Sequence, residues 1–142
     1  MKTVNIKEKL EIKAVELRLN ELQDFRELIG YKRGLEFYTK LYVILSRLPF
    51  YEQYGVFDQC DRSSMSILAN LSEGVQSLYP KTTINFYSIA LATANETQCW
   101  LDIMLLKGYL TSEQHLELDG LLQEIKKLVI CYIKKLVEDI ES

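Results

Sequence analysis

The sequence predicts an all-α fold, an antiparallel up-down-up-down four-helix bundle in residues 25–142 preceded by an N-terminal charged extension in residues 1–24. Three observations carry this. Two prolines and six glycines among 142 residues, with abundant Leu, Glu and Lys, favour helix over most of the length. Apolar residues recur at steps of three and four. Stop and start signals at Pro49, Pro80, Gly108 and Thr111 leave only short connections between long helices, which makes neighbours antiparallel.

The first helix is expected from about Phe25 to Leu48. Tyr31, Leu35, Tyr38, Leu41, Tyr42 and Leu45 form its core stripe, and Pro49 stops it because proline lacks the N–H that a continuing helix needs. The second runs from about Tyr54 to Leu78. On one side it carries Cys60, Ser63, Ser64, Ile67, Leu71, Gly74 and Leu78, a narrow seam of small and apolar groups that lets a neighbouring helix come close. Pro80 suits the first turn of a third helix reaching Leu106, with Gly108 as its C-cap residue. Thr111 and Gln114 form a capping box for a fourth helix extending to about Ile140. In residues 1–24, apolar positions alternate at period two with a slip between Ala14 and Val15, as in a short bulged strand, while the Lys and Glu content favours helix. This segment reads as a flexible or partner-dependent extension.

Composition limits the function classes. Cys60, Cys99 and Cys131 are odd in number and form no C-x-x-C pair, which argues against a secreted disulfide framework and for a reducing cytoplasmic setting. The amino terminus lacks an apolar signal core, and no apolar run is long enough for a bilayer, so a soluble protein without a membrane partner is expected. One histidine, His115, and dispersed cysteines cannot readily build a di-metal or zinc site, and His115 is expected to face solvent. No phosphate-cradling glycine loop and no positioned nucleophile and base are visible. Hence no catalytic residue, metal, cofactor or small-molecule substrate is expected.

Net charge is −3, but cations are concentrated early: ten Lys or Arg against seven acids in residues 1–48. Arg26, Arg33, Lys40 and Arg47 recur every seven residues and project as one ridge opposite the expected core stripe, with Lys127 and Lys134 of the fourth helix as neighbours. Such a ridge suits an anionic partner such as RNA, or another subunit. A second constellation, Gln59, Arg62, Ser66, Asn70 and Glu73, lies beside the small-residue seam. If buried it needs partners, and Asn95 and Glu96 of the third helix are the expected ones. Third-helix residues Ile89, Trp100, Ile103 and Leu106 spread apolar surface beyond what one small bundle can cover, and Phe37 and Ile44 lie along the cationic ridge. These residues are the expected interface of a homo-oligomer with closed cyclic symmetry.

Leu48-Pro49, Glu52, Tyr54-Gly55-Val56, Gln59, Arg62, Ser66-Ile67, Asn70-Leu71-Ser72-Glu73-Gly74, Phe86, Ile89-Ala90-Leu91 and Glu96 together resemble the four-helix-bundle proteins named after rRNA intervening sequences. The resemblance spans roughly residues 25–140. It implies a cytoplasmic protein, a barrel-like homopentamer and no enzymatic activity. That family is similar in turn to the accessory variability proteins of diversity-generating retroelements, which implies a reverse transcriptase and its RNA as partners. This chain places Asp61 before Arg62, where the family tends to show paired arginines, and Gln76 and Ser77 where a basic residue is usual. Two readings therefore stand: a non-catalytic oligomeric accessory protein for a reverse transcriptase with its RNA, and a protein-interaction scaffold with no nucleic acid.

Overall fold

The computed structural model describes residues 5–141, and Met1–Val4 of the expected extension and Ser142 lie outside the described residues. These residues form five α-helices and no strand: α1 (Ile6–Asn20), α2 (Ile29–Leu45), α3 (Val56–Val75), α4 (Pro80–Leu106) and α5 (Ser112–Glu141). Single 3-10 turns at Phe25–Glu27 and Phe50–Glu52 precede α2 and α3. The expected four long helices are α2 to α5, and the expected extension supplies the fifth. Around the core, α2 packs on α3 and α5, and α4 packs on the same two helices.

Local signals fix most of the boundaries. Pro80 opens α4. Gly108 adopts φ 78°, the left-handed conformation that lets the Tyr109 amide reach back to the Met104 carbonyl at 2.9 Å and close α4. The capping box before α5 forms in both directions, with Gln114 N donating to Thr111 Oγ1 at 3.1 Å and Thr111 N to Gln114 Oε1 at 2.9 Å. The first expected helix begins four residues late. Asp24 accepts from the Arg26 amide at 3.0 Å, capping a 3-10 turn, and Leu28 is extended at φ −66° and ψ 124°.

Most of the expected α3 seam is buried, with Cys60, Ser63, Ser64, Ile67, Leu71 and Gly74 facing inward, but α3 ends at Val75 and leaves Leu78 half-buried beyond it. Its small side chains admit α4, where Thr97 Oγ1 lies 2.8 Å from Ser63 Oγ in the interior. Burial satisfies these hydroxyls within the fold: Thr97 also lies 2.7 Å from the Thr93 carbonyl and Ser63 lies 3.2 Å from that of Cys60.

The buried face of α2 corrects the expected stripe. Gly30, Gly34, Phe37, Leu41 and Leu45 point inward, whereas Leu35 and Tyr42 are 43% and 50% exposed. At 100° per residue the true stripe is rotated by about 70° from the expected one. Two glycines cause this. Gly30 and Gly34 carry no hydrophobic signal, yet their bare backbone allows Tyr132 and Leu68 to approach, and the Tyr132 hydroxyl accepts from Gly30 N at 3.0 Å. Phe37, expected in an oligomer interface, is a core residue at 1% exposure, and Ile44 is half-buried against the same core.

Candidate functional site

The outer faces of the helices are the candidate surfaces. The cationic ridge is the first. Arg33 Nε lies 3.0 Å from Glu124 Oε1 and its Nη1 lies 3.0 Å from Glu36 Oε2, while Lys40 pairs with Glu117 and sits 3.8 Å from Glu36. Moving seven residues forward along α2 thus moves seven back along α5, the register of an antiparallel pair. The acids push the Arg33 guanidinium and the Lys40 ammonium further up from their ordinary values, Glu36 leading for Arg33 and Glu117 for Lys40. Each pair is half-exposed, so solvent screens it and it adds little to stability. They also offset the positive charge that the ridge would otherwise present to an anion.

Arg47 lies beyond the end of α2, outside the stretch paired with α5. Arg26 falls outside α2, on the 3-10 turn, where it pairs with Asp24 at 3.4 Å and stacks on the Phe25 ring at 4.5 Å. Arg47 lines a shallow hollow with Ile44, Leu48, Pro49, Gly108, Tyr109 and Gln114. Among the described residues Arg47, Lys127 and Lys134 make no ion pair. The six expected contact residues therefore do not form one continuous cationic surface.

The polar ladder is also corrected. Gln59, Arg62 and Glu73 are exposed, so no burial compels them to bond across helices. Arg62 pairs within α3 with Asp58 at 2.8 Å, and Asn70 Nδ2 donates to the Ser66 carbonyl and hydroxyl at 2.8 and 3.1 Å. Glu96 accepts from Trp100 Nε1 at 3.4 Å within α4, so it does not join the α3 ladder. The polar links between helices lie elsewhere: Tyr38 donates to Asp61 at 2.7 Å, and Lys126 of α5 donates to Gln98, which donates back to Asp119, at 3.1 and 3.0 Å. Burial, with the Asp61 carboxylate second, pushes the Tyr38 phenol up to about 12.

Of the expected α4 interface, Trp100 and Ile103 pack against the chain's own core, while Ile89 stays 40% exposed. Long neighbouring helices cover more of α4 than periodicity alone suggested.

The end of the fold bearing the α2–α3 and α4–α5 connections was missed in sequence. Phe50, Tyr51 and Tyr54 project there at 85%, 77% and 85% exposure, beside Leu106 at 87%. Beneath them buried Glu52 binds Lys107 at 2.9 Å, and the Tyr51 and Tyr109 hydroxyls lie 3.1 Å apart. The Lys107 hydrogen bond holds the Glu52 carboxyl below its ordinary 4.5. A carboxylate depressed on folding stabilises above its unfolded pKa, and that contribution disappears as pH falls through the folded value. Glu52→Gln is accordingly expected to flatten the acid side of the stability profile, below about pH 4.5, in urea titrations run at stepped pH. An unchanged acid slope in the variant would refute a depressed Glu52.

His115 is engaged and Cys60 is buried, whereas the Cys99 and Cys131 thiols are free and exposed. His115, expected to face solvent, is 20% exposed with Nε2 2.8 Å from Asp102 Oδ1, linking α5 to α4. Burial raises the Cys60 thiol to about 12, far from a reactive thiolate at neutral pH. Among the described residues no group of three or more His, Cys, Asp or Glu could hold a metal ion, and no helix is long and apolar enough to cross a membrane.

The family described as 23S rRNA-intervening sequence protein matches residues 26–131, covering α2, α3, α4 and most of α5. The chain belongs to this family. A crystal structure from Bacteroides thetaiotaomicron VPI-5482, described as a protein with unknown function from the S23 ribosomal protein family, is 33% identical with a TM-score of 0.69. That similarity covers 75% of this chain and 96% of the other. No curated protein matches. The intervening-sequence family thus accounts for the helices around the core and leaves α1 and the end of α5 outside its match.

Proposed function

We propose that this member of the intervening-sequence family is a non-catalytic, self-associating adaptor, in which α2 to α5 act as a four-helix-bundle unit, copies assemble into a closed ring, and the outer surface docks other proteins. The carrying observation is the pairing of Arg33 with Glu124 and of Lys40 with Glu117, which, with Glu36 beside both, leaves no excess positive charge along the expected anion-binding ridge between α2 and α5. Further support comes from the bare aromatic group Phe50, Tyr51 and Tyr54, a surface suited to apolar docking. The high Cys60 value and the engagement of His115 by Asp102 favour a non-catalytic role.

A second reading rests on a specific observation. Among the described residues Arg47, Lys127 and Lys134 make no ion pair, and a ring would repeat them, raising avidity for RNA presented by a reverse transcriptase. Filter binding of structured RNA over a salt series separates the readings. The adaptor reading expects no retention at about 0.15 M salt, since phosphate contacts by few cations weaken steeply with salt. Retention at that salt, abolished by Arg47→Glu with Lys127→Glu and Lys134→Glu, would establish the RNA reading instead.

A further inference from the structure

The α2–α3 connection holds aromatic side chains outward from a braced base. Pro49, at φ −58°, opens the 3-10 turn Phe50–Glu52, where the Glu52 amide donates to the Pro49 carbonyl at 2.9 Å. The Tyr51 and Tyr109 hydroxyls lie 3.1 Å apart, Tyr109 hydrogen-bonds Glu52, and Lys107 donates to Glu52 at 2.9 Å. These bonds tie the connection to the end of α4 and leave Phe50, Tyr51, Tyr54 and Leu106 in water. Covering such side chains is favourable. A base already fixed has little freedom left to lose when a partner arrives.

Beside the rings lies the shallow hollow of about 330 Å³ lined by Ile44, Leu48, Pro49, Tyr109, Gln114 and Arg47. Pro49 and Tyr109 belong to both features, which makes rings and hollow one surface. Its charges select an occupant. Of the residues lining the hollow Arg47 alone is charged, and among the described residues it makes no ion pair. Glu113, next to Gln114 in sequence, does not line it. Glu52, beneath the rings, is buried and its charge is offset by Lys107. The surface therefore offers one uncompensated positive charge in an apolar and aromatic setting. A phosphate backbone is gripped by several cations at once, and the neighbouring ones on α2 are engaged by Glu36, Glu117 and Glu124. One guanidinium beside apolar walls suits one carboxylate, which it can hold through two parallel N–H bonds. Tyr and Arg are also the residue types that supply most binding energy between proteins.

We propose that this end of the bundle docks an acidic peptide segment of another protein, with a carboxylate on Arg47, an apolar side chain in the hollow, and further apolar residues across Phe50, Tyr54 and Leu106. This rests on the adaptor reading and names the chemistry of its partner.

A phage-displayed library of random peptides, selected on the immobilised full chain at about 0.15 M salt, tests it. Enriched peptides are expected to carry Asp or Glu close to Leu, Phe or Trp. The tightest, fluorescein-labelled and followed by anisotropy, is expected to bind about tenfold more weakly to Arg47→Glu and to Phe50→Ser with Tyr54→Ser. All three side chains are exposed, and circular dichroism checks that the helices persist. Replacing the peptide's acid by Lys is expected to restore binding to Arg47→Glu, which an indirect structural effect would not do. No enrichment, enriched peptides without an acid, or affinity unchanged in either variant overturns this site while leaving docking through other faces standing. Labelled oligouridine that binds the wild type and is released by the same variants makes RNA the occupant and overturns both readings. A lighter assembly in Phe50→Ser with Tyr54→Ser, read by light scattering, gives the face to a second copy and overturns the peptide site alone.

Discussion

Phe37→Ala is expected to lower the unfolding free energy by about 3–5 kcal/mol, whereas Leu35→Ala, two residues away, costs less than about 1 kcal/mol. Both residues are apolar members of α2 and either could be read as core from the sequence. Phe37 is 1% exposed and Leu35 is 43% exposed, so only the first truncation removes a buried ring and leaves a cavity. Phe37 shares its stripe with Leu41 and Leu45, also nearly inaccessible, so little relaxation is available to fill the gap. Urea unfolding at neutral pH reads both values directly. Equal costs for the two variants would mean that α2 is rotated back toward the Leu35–Tyr42 stripe, and that Phe37 is free for an oligomer contact after all.

The features legible in the sequence were those set by neighbours within one or two turns. Pro80, Gly108 and the Thr111–Gln114 box mark boundaries because their physics is local. The α3 seam was legible because small residues at helical spacing have one sensible destination. Two features depended on distant partners and were not legible, and a third turned on exposure that periodicity does not report. The facing of α2 turned on Gly30 and Gly34, which carry no hydrophobic weight and matter only once Tyr132 and Leu68 are placed. The ridge lost its charge to Glu117 and Glu124, far along the chain and brought alongside only by the antiparallel register. The α3 ladder satisfied itself through Asp58 and Ser66, so the cost of burying it never arose. As for α1, two apolar stripes on opposite sides cancel any one-sided pattern, which is why its periodicity fitted a slipped strand as well as the helix that its Lys and Glu content favours.

Glycine substitutions give the second large effect, with a sign that depends on position. In a helix interior Gly→Ala should stabilise by about 0.5–1 kcal/mol, because alanine has less backbone freedom to lose. Gly120 in α5 has open space around the added methyl, and Gly120→Ala is expected to show that gain. At Gly74 the same methyl would lie 2.8 Å from Tyr87 Cε1, 3.0 Å from its Cδ1 and 3.1 Å from Phe86 Cβ. The Tyr87 ring is buried and packs against Tyr132 at 5.8 Å between centroids, while Phe86 Cβ is fixed to the α4 backbone, so neither yields without moving α4 away from α3. Overpacking therefore outweighs the entropy gain, and Gly74→Ala is expected to destabilise by about 1–3 kcal/mol. Gly34→Ala falls between them. Its methyl would meet Leu68 Cδ2 at 2.6 Å, but that atom ends a side chain able to change rotamer. Chemical denaturation of the three variants should rank Gly120→Ala above wild type, then Gly34→Ala, then Gly74→Ala. A Gly74→Ala protein as stable as wild type would mean that α3 and α4 do not approach as closely as the buried seam requires.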